Sequence, residues 1–219
     1  MNREDLKRHY SENSAEIESR LQEFKELREA SDERLFKELC FVILTSQSSA
    51  ENAWEASKEL DKQGLLSQPE KPRIESVLAE NRIQYEERKS KYILENFNFL
   101  SQPTFGDPSK SMKLRKRITP ENLDKCRAWF TGNIKGLSWK GSSHFLRNIG
   151  YGNSFAILSS HTVSVLFDLE VLNISEPPKN KSEYLKAEEK VNAFSEEIGI
   201  NIQALDLALW SYRTGKIFK

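Results

Sequence analysis

Apolar residues recur at spacings of three and four along most of the chain, and no stretch alternates apolar with polar over a strand's length. Ile17, Leu21, Phe24 and Leu27 put one apolar stripe on a surface helix predicted over 14–30. Ser31 then offers a hydroxyl to cap a second helix, whose positive end suits Asp32 and Glu33. Leu35, Phe36, Leu39, Cys40, Ile43 and Leu44 make that helix apolar enough to be central. A polar stretch, Thr45-Ser46-Gln47-Ser48-Ser49, separates it from a helix bearing Ala50, Trp54 and Leu60. Further helices are predicted over 72–80 and 84–100.

Residues 101–118 break the pattern with Pro103, Gly106 and Pro108, then crowd Lys110, Lys113, Arg115, Lys116 and Arg117 together. An exposed basic loop is expected, and two readings fit it equally. It is a solvated linker, or an arm that contacts phosphates through Lys113 and Arg115. Thr119-Pro120-Glu121 reads as a helix start, with a capping hydroxyl, a first-turn proline and an acid. That helix runs through Leu123, Cys126, Trp129 and Phe130 to Gly132-Asn133. After a segment at 133–148, helices are predicted over 161–171, 182–198 and 202–213, with a Pro177-Pro178 break. The class is all-α.

With 219 residues, 37% hydrophobic and 10% aromatic, the chain suits one unit spanning 1–219 or two closely packed subdomains. Thirty-three basic residues balance 33 acidic ones, so net charge neither suggests nor excludes a nucleic-acid partner. Cys40 and Cys126 fall in apolar helical stretches and are expected as buried thiols. Two cysteines cannot make a four-cysteine metal site. His144 and His161 have no third ligand nearby in sequence, so they read as structural and no metal is expected. No run approaches the ~20 apolar residues of a membrane span. Met-Asn-Arg-Glu-Asp has no apolar leader core, and the expectation is a soluble protein of the cytoplasm or nucleoid.

Within 133–148 one helix ends, a glycine turn follows, and a second helix begins near Trp139. A turn of this kind, through Gly136 and Ser138, aims backbone N–H groups outward and suits a phosphate. On spacing alone an ordinary helix-to-helix turn is the better reading. Lys140 shifts the balance. At the positive start of a helix its ammonium form is disfavoured, so the free amine becomes available as a nucleophile.

These residues also carry a resemblance. GLSWKGSSHFLRNIGY, from Gly136 to Tyr151, resembles the hairpin segment of archaeal-type 8-oxoguanine DNA glycosylase/AP lyases of the helix-hairpin-helix superfamily. The segments Lys37–Thr45 and Leu205–Lys219 match the same family in order, and only the basic stretch 101–118 has no counterpart. The resemblance implies a helix-hairpin-helix DNA glycosylase fold, two helical subdomains with the active cleft between them. It implies a monomer acting on double-stranded DNA whose damaged base is flipped out of the stack. Lys140 would attack the sugar C1′, form a Schiff base and nick the strand by elimination, with no cofactor. Gln47 would fill the gap left by the flipped base, though a polar helix-to-helix turn is nearly as good a reading. Trp210 and the terminal Lys219 would recognise the lesion; core packing is the ordinary reading of the former. Arg213 and Lys216 reach phosphate or merely solvate the last helix.

The family pattern places an aspartate two residues before a histidine, and here the match is Ser159 before His161. A carboxylate there stabilises positive charge developing on the sugar and helps the lysine shed its proton. A hydroxyl carries no charge for either task. Asp168 lies nine residues on, about 13 Å along a helix at 1.5 Å per residue, and Glu51 would serve only if the fold brought it in. Two readings stand level: a slow enzyme or one for a different modified base, and a lesion-binding protein without chemistry. An engineered site ranks behind both.

Overall fold

In the computed structural model, which describes residues 2–105, 108–152 and 154–219, the ordered elements are helices. Gly106, expected to help break the basic stretch, lies outside the described residues. The first helix, α1 (Arg3–Glu26), begins well before the predicted start at 14. Asn2 and Asp5 cap it reciprocally, each side chain accepting the other's backbone N–H. Only Leu6, Ile17 and Phe24 of α1 are buried, and so sparse a stripe hides its first turns from a periodicity argument. Ser31 caps α2 (Asp32–Leu44) as expected, accepting the Arg34 N–H at 3.3 Å. Then come α3 (Ala50–Lys62), α4 (Lys71–Glu80) and α5 (Glu86–Leu100). Thr119 does not cap the next helix. Pro120–Asn122 forms a single 3-10 turn, and the Asn122 side chain caps α6 (Leu123–Asn133). The rest are α7 (Trp139–Asn148), α8 (Ser160–Asp168), α9 (Lys181–Ile198) and α10 (Ile202–Thr214).

The chain divides into two compact units, one of residues 29–145 and one of residues 1–28 with 146–219. In the 29–145 unit α2 is central, packed on α3 and α5, with α4 against both of those. Every residue from Glu38 to Leu44 is buried. Burial of each large apolar side chain contributes roughly 1.5–3 kcal/mol, so α2 anchors this unit. Phe41 meets Trp54 and His144 edge-on at ring distances of 5.6 and 5.8 Å, which makes His144 a core residue. In the other unit α10 is central, touching α1, α8 and α9. Its residues 202–209 are all buried, the pattern of a helix surrounded by others. Both cysteines are buried free thiols. Among the described residues no helix is long and apolar enough to cross a membrane.

The basic stretch departs from expectation. Lys113 is 2% exposed, and its ammonium donates to the carbonyls of Gln102 (3.1 Å), Ser109 (2.6 Å) and Ser111 (3.1 Å). The reading of Lys113 as an exposed phosphate contact is therefore corrected: carbonyl oxygens of its own loop need a donor, and the ammonium fastens that loop from inside. Arg115 is half-buried. Its backbone N–H donates to Asp32 Oδ1 at 2.6 Å and its guanidinium to the Ala30 carbonyl, at the start of α2. Lys110 and Lys116 are the exposed cations of the stretch.

Candidate active site

Residues 134–138 connect α6 to α7. Ile134 and Leu137 are buried and pin the turn, while Gly136 and Ser138 are exposed. Gly136 sits at φ 86°, and a Cβ there would lie 2.8 Å from Tyr92 Cδ2 and 3.2 Å from Ile43 Cγ2. Only glycine meets both demands. Asn96 of α5 holds the turn from beneath, donating to the Lys135 carbonyl at 3.0 Å and accepting the Lys135 N–H at 2.8 Å. Ser138 caps α7, its hydroxyl accepting the Gly141 N–H at 3.2 Å. The hydroxyls of Thr131 and Ser142, 2.8 Å apart, tie α6 to α7. Arg127, 2% exposed, lies 4.7 Å over the Trp139 ring and reaches Ser143 Oγ at 3.3 Å and Asp124 at 2.9 Å. Lys140 is thus the second residue of a helix whose start is fixed on several sides, and it is half-buried there.

Ser159 belongs to the other unit. It is the N-cap of α8, at φ −76° and ψ 165°, accepting the Thr162 N–H at 3.1 Å; the Ser159 and Thr162 hydroxyls are 2.9 Å apart. The extended segment leading to it is held by α9. Tyr184 donates to the Ala156 carbonyl at 2.5 Å, Glu188 accepts the Ala156 N–H at 3.0 Å, and Asn192 donates to the Ser154 carbonyl at 3.2 Å. Spaced by four, these polar side chains form one stripe of α9.

A carboxylate does lie near Ser159. Asp206 Oδ1 accepts from the Thr162 hydroxyl at 3.5 Å, and Asp206 Oδ2 accepts from Arg147 at 3.1 Å. It is 7% exposed, behind Thr162 and paired with a buried guanidinium, so its charge is already balanced. Asp168 closes α8 at the end opposite Ser159, and Glu51 lies in α3 of the other unit.

The C-terminal tail packs back on its own unit. Gly215, at φ 75°, ends α10; Ile217 is buried, and the Phe218 ring lies 6.3 Å from Trp210 at 32°. His161, expected to be structural, is exposed instead and stands edge-on to Trp210 at 6.5 Å. Trp210 and Lys219 are half-buried, while Arg213 and Lys216 are exposed. A recess of about 360 Å³ opens beside the tail, lined by His9, Asn13 and Glu16 of α1 together with Ser211 and residues 215–218. Burial holds the His9 imidazole below its ordinary pKa, against the nearby Glu12 charge.

Gln47 is exposed at the turn between α2 and α3, in the left-handed region at φ 58°. Lys89 of α5, 4% exposed, reaches into this turn. It donates to the Leu44 carbonyl at 3.0 Å, the Ser46 carbonyl at 2.5 Å and Ser48 Oγ at 3.3 Å. Burial, with a smaller contribution from Arg88, lowers its pKa to about 8. Nothing in the run Arg88-Lys89-Ser90-Lys91 separates Lys89 from a solvated lysine, so sequence reasoning missed it.

The family model for 8-oxoguanine DNA glycosylase matches residues 17–200. The 8-oxoguanine DNA glycosylase/AP lyase of Fusobacterium nucleatum is 37% identical over 218 residues, spanning 98% of this chain and 96% of that protein. The crystal structure of the Methanocaldococcus jannaschii 8-oxoguanine glycosylase/lyase, in complex with a 15mer DNA containing 8-oxoguanine, matches with a TM-score of 0.80 and 31% identity. It covers 97% of this chain and 98% of that one. The 8-oxoguanine DNA glycosylase of Thermotoga maritima matches with a TM-score of 0.83 and 31% identity, covering 99% and 98%. Helices throughout the described residues, a glycine hairpin ending at a lysine, and likeness along nearly the whole length agree: the chain belongs to the helix-hairpin-helix 8-oxoguanine DNA glycosylase family.

Proposed function

We propose that this protein excises 8-oxoguanine, or a related damaged base, from duplex DNA as a glycosylase/AP lyase with Lys140 as its nucleophile. The observation that carries this is the placement of Lys140, second in α7, on a turn fixed by Gly136, Asn96 and the Ser138 cap. Backbone N–H groups of the exposed residues Gly136 and Ser138 seat a phosphate without reading sequence. The Lys140 amine bonds to C1′, the glycosidic bond breaks, and its electron pair leaves with the base, which takes up a proton. Opening of the sugar ring gives a Schiff base, and loss of a C2′ proton expels the 3′ phosphate. Gln47 fills the vacated position in the duplex. Trp210 stacks on the base, with Lys219 and His161 beside it. The protein works as a monomer in the cytoplasm or nucleoid and needs no cofactor.

A second reading rests on Ser159. Its hydroxyl is engaged as a helix cap, and the Asp206 carboxylate hydrogen-bonded to its partner Thr162 is paired with Arg147. The protein then binds lesions with weakened chemistry, or acts on another modified base. Losing one electrostatic stabiliser costs on the order of 100–1,000-fold in rate. Aspartate caps a helix as well as serine does and suits its positive end, so Ser159→Asp is compatible with the local fold.

Borohydride trapping on a duplex containing 8-oxoguanine separates the readings. The native protein is expected to give a covalent adduct that Lys140→Gln abolishes, and Ser159→Asp is expected to accelerate excision by about 100-fold or more. An adduct from Ser159→Asp alone favours the lesion-binding reading. No adduct from the native protein or from Ser159→Asp, despite DNA binding, ends the 8-oxoguanine assignment.

A further inference from the structure

We infer that Lys89 is a positioning residue for Gln47: its buried ammonium fixes the turn between α2 and α3 in the conformation that presents Gln47 to the duplex. The inference rests on the proposal that Gln47 enters DNA. Three facts support it.

The three oxygens that take the ammonium's protons bracket Gln47. Leu44 and Ser46 supply carbonyls before it and Ser48 a hydroxyl after it. All are neutral, although burying an ammonium without a carboxylate is costly. A lysine whose only task was to fill space would be replaced by methionine at no electrostatic cost. Gln47 itself is left-handed at φ 58°, a region that is unfavourable for a residue with a Cβ. Its exposed side chain has no burial to hold it, and Lys89 acts instead on the flanking residues, through the Leu44 and Ser46 carbonyls before it and the Ser48 hydroxyl after it. Finally, the clasp extends. Ser48 Oγ also accepts the Gln84 N–H at 3.0 Å, next to Tyr85, which is 57% exposed and likewise left-handed at φ 60°. One ammonium and one hydroxyl therefore set two exposed side chains on adjoining turns.

The test is single-turnover excision from an 8-oxoguanine duplex by Lys89→Met, Gln47→Ala and the double variant. Alongside runs borohydride trapping on a single-stranded abasic oligonucleotide, where no orphaned base awaits Gln47. Misplacing a positioning group by about 1 Å costs up to about 100-fold, so Lys89→Met is expected to lower duplex excision about 10- to 100-fold. Single-strand trapping should stay at the native level, and Lys89→Met should add no loss in the Gln47→Ala background. Loss that persists in that background, or falls equally on the single strand, makes Lys89 merely structural and overturns the inference. If Gln47→Ala lowers duplex excision and Lys89→Met does not, the inference fails and the role of Gln47 survives. If Gln47→Ala changes nothing, the role of Gln47 fails and takes the inference with it. Should Lys89→Met not fold, Ser48→Ala removes one acceptor from a half-buried site. It is expected to give a smaller fall of the same kind, again absent with Gln47→Ala, and an unchanged rate overturns the inference.

Discussion

The turn at 134–138 and the turn at 45–49 each need one residue in the left-handed region, and they fill it differently, with Gly136 at φ 86° and Gln47 at φ 58°. In the first, the chain meets the requirement locally. Glycine accepts the conformation, Ile134 and Leu137 bury the flanks, and Ser138 caps the following helix. In the second, the residue resists its own backbone and is held there by Lys89, some forty positions later in sequence. A left-handed glycine reports only that a turn is needed. A left-handed, exposed glutamine fastened by a buried ammonium reports that this side chain in this place is worth an energetic cost.

The largest stability effect that would sharpen the contrast is at Gly136. Alanine there meets both an unfavourable φ and the Tyr92 ring at 2.8 Å, against two neighbours that are themselves packed. Gly136→Ala is expected to destabilise by about 2–4 kcal/mol in urea unfolding, and to weaken DNA binding because the turn must shift. A change under about 0.5 kcal/mol would break the comparison, since it would mean the hairpin needs no glycine.

The same contrast explains what was legible in the sequence. Ser31 accepts the N–H three residues on, Gly136 and Lys140 mark the turn between two consecutive helices, and the apolar residues of α2 recur at three and four; such signals survive in a linear reading. Lys113 and Lys89 do not. Each looks like a surface cation until folding brings backbone carbonyls to it, from Gln102, Ser109 and Ser111 in one case and from Leu44 and Ser46 in the other. Thr119-Pro120-Glu121 shows a subtler failure. Its cap chemistry is sound, yet the proline turn closes as a 3-10 turn, and Asn122 caps the real helix. The carboxylate at 206 sits in an apolar helix and could not be connected with Ser159 until α8 and α10 were packed together.

A smaller effect is expected from pH, and it has two opposite parts. The Lys89 pKa is depressed to about 8 from an ordinary 10.5, so between those values the unfolded chain holds the proton more tightly than the fold does. Stability therefore rises with pH through that window, and the penalty for burying the charge is fully present below pH 8. Measured against Lys89→Met to cancel other titrations, the native Tm should be flat below pH 8 and climb above it. Duplex excision, likewise taken as a ratio to Lys89→Met, should move the other way, because a neutral amine keeps two N–H donors for the three oxygens around Gln47. Parallel movement of the two would mean that the charge on Lys89 does nothing for Gln47.

The smallest stability effect belongs to Gln47→Gly, and it is the sharpest counterpart to Gly136→Ala. Glycine relieves the left-handed cost at 47, about 1 kcal/mol, but loses about 0.5–1 kcal/mol through the greater freedom of the unfolded chain. The side chain is exposed, so no packing is lost. Net stability should change by no more than about 0.5 kcal/mol. Excision from duplex DNA should nevertheless fall, while trapping on a single-stranded abasic site should not, because the backbone turn survives and only the group proposed to enter the duplex is gone. A loss of stability near that of Gly136→Ala would show that the glutamine side chain supports its own turn. The strain at 47 would then belong to folding, and the two turns would differ in sequence without differing in purpose.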